Sequence, residues 1–88
     1  MPPLSDDEVT DGWRLVRIAV EGDGTEVAGV DLWQADWTPT RQHIIVAHPQ
    51  HPSQRHVMFT YEVAGTEPPI VFAAAEFSNG VWGIYVPA

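Results

Sequence analysis

Cysteine and lysine are both absent from this sequence of 88 residues. The absence of cysteine excludes disulfide bonds, thiolate nucleophiles and sulfur ligands for a metal. With 44% hydrophobic residues, the chain can still bury a core without a covalent crosslink. No apolar run approaches the roughly 18 residues of a membrane span, and the first residues, MPPLSDDEV, lack the basic and apolar regions of a leader peptide. We therefore expect a soluble, cytoplasmic protein.

Positive charge is scarce as well. Four arginines stand against twelve acids, which gives a formal net charge of -8. Binding to nucleic acid or to an anionic membrane requires positive groups that displace counterions, so we expect neither partner. Nine of the acids precede Trp37, and a negative field of this kind suits a basic protein partner. A solvated face that serves only solubility is the simpler interpretation of the same pattern.

Turn-forming residues divide the chain into a short N-terminal segment and one β domain. Ser5 and Glu8 have the spacing of a capping box, which predicts one or two helical turns within residues 1–12. From Trp13 the hydrophobic period changes to two, which predicts β-strands in a single domain of residues 13–88. Six strands are expected, at residues 13–21, 27–37, 42–48, 56–64, 70–77 and 81–86. They predict an all-β fold, a six-stranded antiparallel meander that forms a small barrel or a sandwich.

The apolar pattern also predicts how two of the hairpins pair. An odd-numbered loop after the first strand would set Ile18 opposite Val30 and give one clean core face. A type I′ turn at residues 79–80, which are Asn-Gly, would set Phe77 opposite Trp82. The outer faces of these hairpins would then carry polar and aromatic side chains.

All four histidines lie in the stretch HIIVAHPQHPSQRH, residues 43–56. A zinc site without cysteine needs three or four histidine or carboxylate ligands. His48, His51 and His56 could converge if the strands pair with His48 opposite His56, but a second register buries better apolar pairs and separates them. No acid lies within residues 38–60, and two prolines favour an exposed turn. An exposed loop is the preferred interpretation, and a metal site is the alternative.

No other group of side chains suggests catalysis. Ser53 lies near histidines, but no acid is placed to orient them, so we expect neither enzymatic activity nor a cofactor. Trp33 and Trp37 would lie on the same face of the second strand, about 13 Å apart. Aromatic rings at such a separation can stack on a sugar or another small ligand, although core packing is the simpler role for tryptophan.

These features predict a small acidic, non-enzymatic protein–protein interaction module, for example an inhibitor or immunity-type protein for a basic target. A homodimer is also expected, because the last strand, VWGIYV, would be an uncharged edge unless the sheet closes by pairing it with the first strand. Asp31, Phe72 and Tyr85, on the predicted outer faces, are the candidate interaction residues. The alternative function is carbohydrate or small-ligand binding at Trp33 and Trp37, and the third is a metal site at residues 48–56.

Overall fold

The structure, a computed structural model, describes residues 12–88, with the backbone alone for residues 42–45. This part of the chain forms the strands β1 (Trp13–Val20), β2 (Glu26–Val27), β3 (Val30–Asp31), β4 (Trp37–His48), β5 (His51–Val63), β6 (Ile70–Ser78) and β7 (Val81–Pro87). It contains no helix with the length and apolar character needed to cross a membrane. The predicted N-terminal helix lies outside the described residues.

Five strands form one antiparallel sheet in the order β1-β7-β6-β5-β4, and β2 and β3 form a separate small hairpin. The sheet curls strongly into a half-barrel, which confirms the prediction of an all-β antiparallel fold. β7 lies between β1 and β6, so the edge strands are β1 and β4. The prediction of a free C-terminal edge is therefore wrong. The last strand does pair with the first, but within residues 12–88 the sheet remains open between β1 and β4.

Residues 27–37 do not form the predicted second strand. Ala28 and Gly29 have φ angles of 51° and 83°, and they turn the chain back after two residues of strand. The Asp31 carboxylate then accepts a hydrogen bond from the Trp33 N–H at 2.9 Å, which satisfies the backbone within a turn. This segment leaves the sheet, and Ile18 lies opposite Gly83 of β7 instead of Val30.

The turn at residues 79–80 is confirmed, but the register of its hairpin is shifted. Gly80 has a φ of 78° and Asn79 does not have a positive φ, so the turn is not type I′. The ladder is irregular at Phe77, and Glu76 lies opposite Trp82. An extra residue in one strand adapts the hairpin to this turn and moves every following side chain to the other face.

The β4–β5 hairpin is longer than predicted, because its strands continue to a two-residue turn at residues 49–50. Val46 lies opposite His56 and His48 lies opposite His51. Neither predicted register is correct, since three irregularities shift the pairing along this hairpin. The predicted exposed loop is therefore largely strand.

Both faces of the sheet carry a buried core, because side chains alternate along each strand. On one face, Phe72 and Ile84 pack beneath residues 21–36, which we call the covering segment and which contributes Leu32. On the other face, a second core consists of Val46, Met58, Ala73, Ala75, Phe77 and Tyr85. The covering segment takes the place of a second sheet on the first face.

Candidate functional site

Trp37 is the centre of an aromatic cluster beneath the covering segment. Four rings surround it with centroids 5.0 to 5.6 Å away: Trp33, Tyr61, Phe72 and Trp82. Such distances are typical of packed aromatic pairs. The indole N–H of Trp37 donates to the Leu32 carbonyl at 2.8 Å. Trp33 and Trp37 are therefore core neighbours, and they do not form two separate platforms on a strand.

Asp23 attaches the covering segment to β1. Its carboxylate accepts hydrogen bonds from the N–H groups of Val20 and Thr25 at 2.9 Å and from the Trp33 indole at 2.8 Å. It also forms an ion pair with Arg17 at 3.3 Å. These donors lower the pKa of Asp23, the Thr25 hydroxyl most strongly, followed by Val20 and Trp33. This role of Asp23 was not predicted from the sequence, although Asp-Gly-Thr after a strand is a signal for a local turn of this kind.

The acidic side chains of the covering segment differ in their hydrogen bonds and ion pairs. Glu21 accepts the Trp82 indole N–H at 3.0 Å, and Asp31 and Asp23 hold the turns described above. Glu26 and Asp36 are exposed and form no hydrogen bond or ion pair through their side chains with other described residues. The covering segment contains no arginine. It therefore presents negative charge that is not neutralised locally.

Two of the three predicted interaction residues are buried. Phe72 is 0% exposed in the core beneath the covering segment, and Tyr85 is 2% exposed in the opposite core. The prediction placed these residues on the outer faces of the hairpins, whereas both faces of the sheet are packed. Asp31 is partly buried, and its carboxylate holds a turn. None of the three is placed to dominate a contact with another protein.

The structure brings His48, His51 and His56 together near the β4–β5 turn. The ring centroid of His48 lies 4.8 Å from that of His51 and 6.0 Å from that of His56. His48 is buried, and its Nδ1 accepts the Gln50 N–H at 3.0 Å. Burial lowers the pKa of His48, and the charges of the other two histidines lower it further. The neutral ring of His48 therefore carries its proton on Nε2.

This cluster lacks the geometry of a metal site. Among the described residues, no group of three histidines or acids is arranged to hold a metal ion. The hydrogen bonding of His48 gives a chemical reason, since one nitrogen accepts a hydrogen bond and the other carries the proton, so neither offers a free lone pair. His56 Nε2 is buried and has no hydrogen-bond partner in the described part of the chain, and its ring packs 5.1 Å from Phe77. Metal binding itself stays an untested prediction.

An apolar groove lies between the β2–β3 turn and the loop that joins β5 to β6. It consists of two adjoining cavities of about 570 and 280 Å³, which share Val27, Ala28 and Val86 as walls. The larger cavity also contacts Glu67 and Val71, and the smaller one contacts Val16, Arg17 and Glu26. This groove could not be predicted from the sequence, because four separated segments line it and no local pattern joins them.

Comparison with known proteins provides no functional assignment. No protein-family model, no curated protein and no solved structure matches the chain. The geometry offers two features for a binding function, which are the acidic covering segment and the apolar groove. Ser53 is exposed on β5, and the absence of enzymatic activity stays a prediction from the sequence.

Proposed function

We propose that this protein is a non-enzymatic interaction module that binds a basic protein partner. The observation that carries this proposal is the covering segment, which has five acids and no arginine and which leaves the exposed carboxylates of Glu26 and Asp36 without partners among the described residues. The β4–β5 hairpin differs in sign, since its acid-free stretch of residues 38–60 contains Arg41 and Arg55. A basic surface on a partner protein would be electrostatically complementary to the covering segment.

The covering segment suits this role because its position is fixed. Asp23 ties it to β1, and the ring of Trp33 packs 5.6 Å from that of Trp37 beneath it. Acids on an ordered backbone lose little conformational freedom when a partner binds. An uncompensated negative field also attracts a basic protein during encounter and increases the rate of association. We therefore expect binding that weakens as the salt concentration rises.

The experiment is affinity capture from a cell extract, with the retained proteins identified and sorted by isoelectric point. We expect the wild type to retain basic proteins and a Glu26→Gln/Asp36→Asn variant to retain much less of them. A Glu62→Gln/Glu76→Gln variant, with the same change in net charge but both changes outside the covering segment, is the matched control and should behave like the wild type. Retention that is equal in all three proteins would reject the proposal.

Self-association is the second candidate, and the open edges of the half-barrel favour it. β1 and β4 end the sheet without pairing to each other, and an edge strand can pair with another chain. The predicted edge at β7 is not available for pairing with a second copy, because β7 is already paired with β1 and with β6. Small-ligand binding at Trp33 and Trp37 has less support, since both side chains are partly buried and pack against the core.

A further inference from the structure

We propose that the groove between the β2–β3 turn and the β5–β6 loop holds an extended, apolar segment of the partner that is flanked by lysine or arginine. This inference rests on the proposed function and names the surface and the chemistry of the bound segment. Three features of the groove support it: the apolar floor, the charges at the rim and the conformation of one residue in the wall.

The apolar character of the groove extends to both of its ends. Val16 in the smaller cavity and Val71 in the larger one are 47% and 40% exposed, and they are two of the large hydrophobic residues on the described surface. Val86, shared by both cavities, lies between them. Contiguous exposed apolar surface with a polar rim is typical of a binding site, because a ligand removes this surface from water.

The rim of the groove is acidic at both cavities. Glu26 borders the smaller cavity and Glu67 borders the larger one, and neither forms an ion pair with another described residue. Arg17 also borders the smaller cavity, but Asp23 lies 3.3 Å from its guanidinium and offsets its charge. The charge complement of this rim is a segment with basic residues on either side of apolar ones, and an acidic segment would be repelled.

The wall shared by the two cavities contains a backbone conformation that is unfavourable for its residue. Ala28 has a φ of 51° and is the single residue other than glycine with a positive φ in the described part of the chain. Glycine would adopt this conformation at lower cost. Ala28 borders both cavities, so a residue that is unfavourable for this backbone conformation lies where the ligand would make contact.

The experiment uses fluorescence anisotropy with a labelled short peptide in which valine and lysine alternate. We expect saturable binding that Glu67→Gln weakens about fivefold, since a partly screened charge contact contributes roughly this factor. Val71→Thr should weaken binding about threefold through loss of an apolar contact. Ala28→Gly should also weaken binding while it raises Tm, which separates a contact role from a structural one.

Matched variants outside the groove control for charge and surface polarity. Glu62→Gln changes the net charge by the same amount as Glu67→Gln, and Val57, at 41% exposure, is the counterpart of Val71 for a Val57→Thr change. Both controls should bind the peptide like the wild type. A peptide of alternating serine and lysine and one of alternating valine and glutamate should both bind more weakly.

The outcomes separate this inference from the proposed function. No binding of the valine–lysine peptide, equal weakening by Glu62→Gln, or equally tight binding of the serine–lysine peptide would reject the groove. If basic proteins are still captured in a way that depends on Glu26 and Asp36, the proposed function stands and only the groove assignment fails. If the peptide binds as expected but no basic protein is captured, the groove is supported and the proposed function fails.

Discussion

The carboxylate of Asp23 joins β1 to the covering segment, and its loss is expected to destabilise the protein. Asp23→Asn keeps one acceptor oxygen but replaces the other with an NH₂ group, which cannot accept the Val20 N–H or pair with Arg17. We expect Tm at neutral pH to fall by several degrees, measured by circular dichroism. Asp36→Asn, at an exposed carboxylate without such bonds to other described residues, is the control and should leave Tm unchanged.

The effect of Asp23→Asn should depend on pH in a defined direction. Hydrogen bonds hold the pKa of Asp23 well below its ordinary value of 3.8, so folding favours the ionised form. The resulting stabilisation is complete above 3.8 and is lost as the pH falls through the lowered pKa of the folded state. The difference in Tm between the wild type and the variant should therefore narrow below about pH 4. A difference that stays constant in acid would show that hydrogen bonding to the carboxylate is not the cause.

His48 should make stability depend on mildly acidic pH. Burial lowers its pKa from 6.5, so the unfolded chain takes up the proton more readily, and stability falls as the pH decreases from 6.5 toward the pKa of the folded state. A proton on Nδ1 would also oppose the Gln50 N–H. His48→Asn retains an acceptor near Nδ1 but does not titrate, so its Tm should change less than that of the wild type between about pH 7 and pH 5. Equal changes in both proteins would contradict this role, and His51→Asn, at an exposed ring, is the control.

At the level of strands and turns, the sequence predicted what depends on local pattern. The strands at β1, β6 and β7 and the turn at residues 79–80 follow from alternation and from Asn-Gly. The prediction of a second strand was wrong, because the Asp31 carboxylate and the positive φ of Ala28 bend a segment in which polar and apolar residues alternate well. The predicted registers were wrong where a strand contains an irregularity, since one extra residue moves the following side chains to the opposite face of the sheet.

The candidate sites show the same division between local pattern and tertiary contact. The histidine cluster could be anticipated from its spacing in the sequence, although the register that forms it was not predicted. The acidic character of the covering segment was visible in the sequence as well. The groove was not, because Val16, Ala28, Val71 and Val86 meet only after β7 pairs with β1 and the covering segment folds over the sheet.

The β6–β7 hairpin provides a test of its observed register. A Cβ atom on Gly83 would lie 2.6 Å from Cε2 of Phe77, whose ring is buried beside His48. Gly83→Ala should therefore destabilise the protein by about 1–3 kcal/mol through overpacking, measured by urea denaturation. Phe77→Leu shortens the obstructing side chain and should recover part of this loss in the double variant. If Gly83→Ala has no effect, the ring of Phe77 does not lie against Gly83.

At the level of the whole molecule, the two edge strands of the half-barrel differ in how well they are protected against pairing with another chain. β4 contains Pro39, and its pairing with β5 has three irregularities, which interrupt a continuous ladder. β1 has a single irregularity, between Leu15 and Arg17, and no proline. At the end of β1, the Val20 N–H already donates to Asp23, which restricts pairing to the first part of the strand. β1 is therefore the edge where a second copy would pair.

We expect a weak homodimer through β1, observed by sedimentation velocity at high micromolar concentration. Val16→Lys should abolish it, because Val16 is exposed on this edge strand, while Val57→Lys on the internal strand β5 should not. Arg14 and Arg17 would approach their counterparts in an antiparallel pair, so salt should strengthen the dimer by screening their repulsion. Tyr85→Lys should unfold the chain instead of dissociating it, since Tyr85 is buried. A wild type that remains monomeric, or a dimer that Val57→Lys disrupts equally, would show that the β1 edge does not mediate self-association.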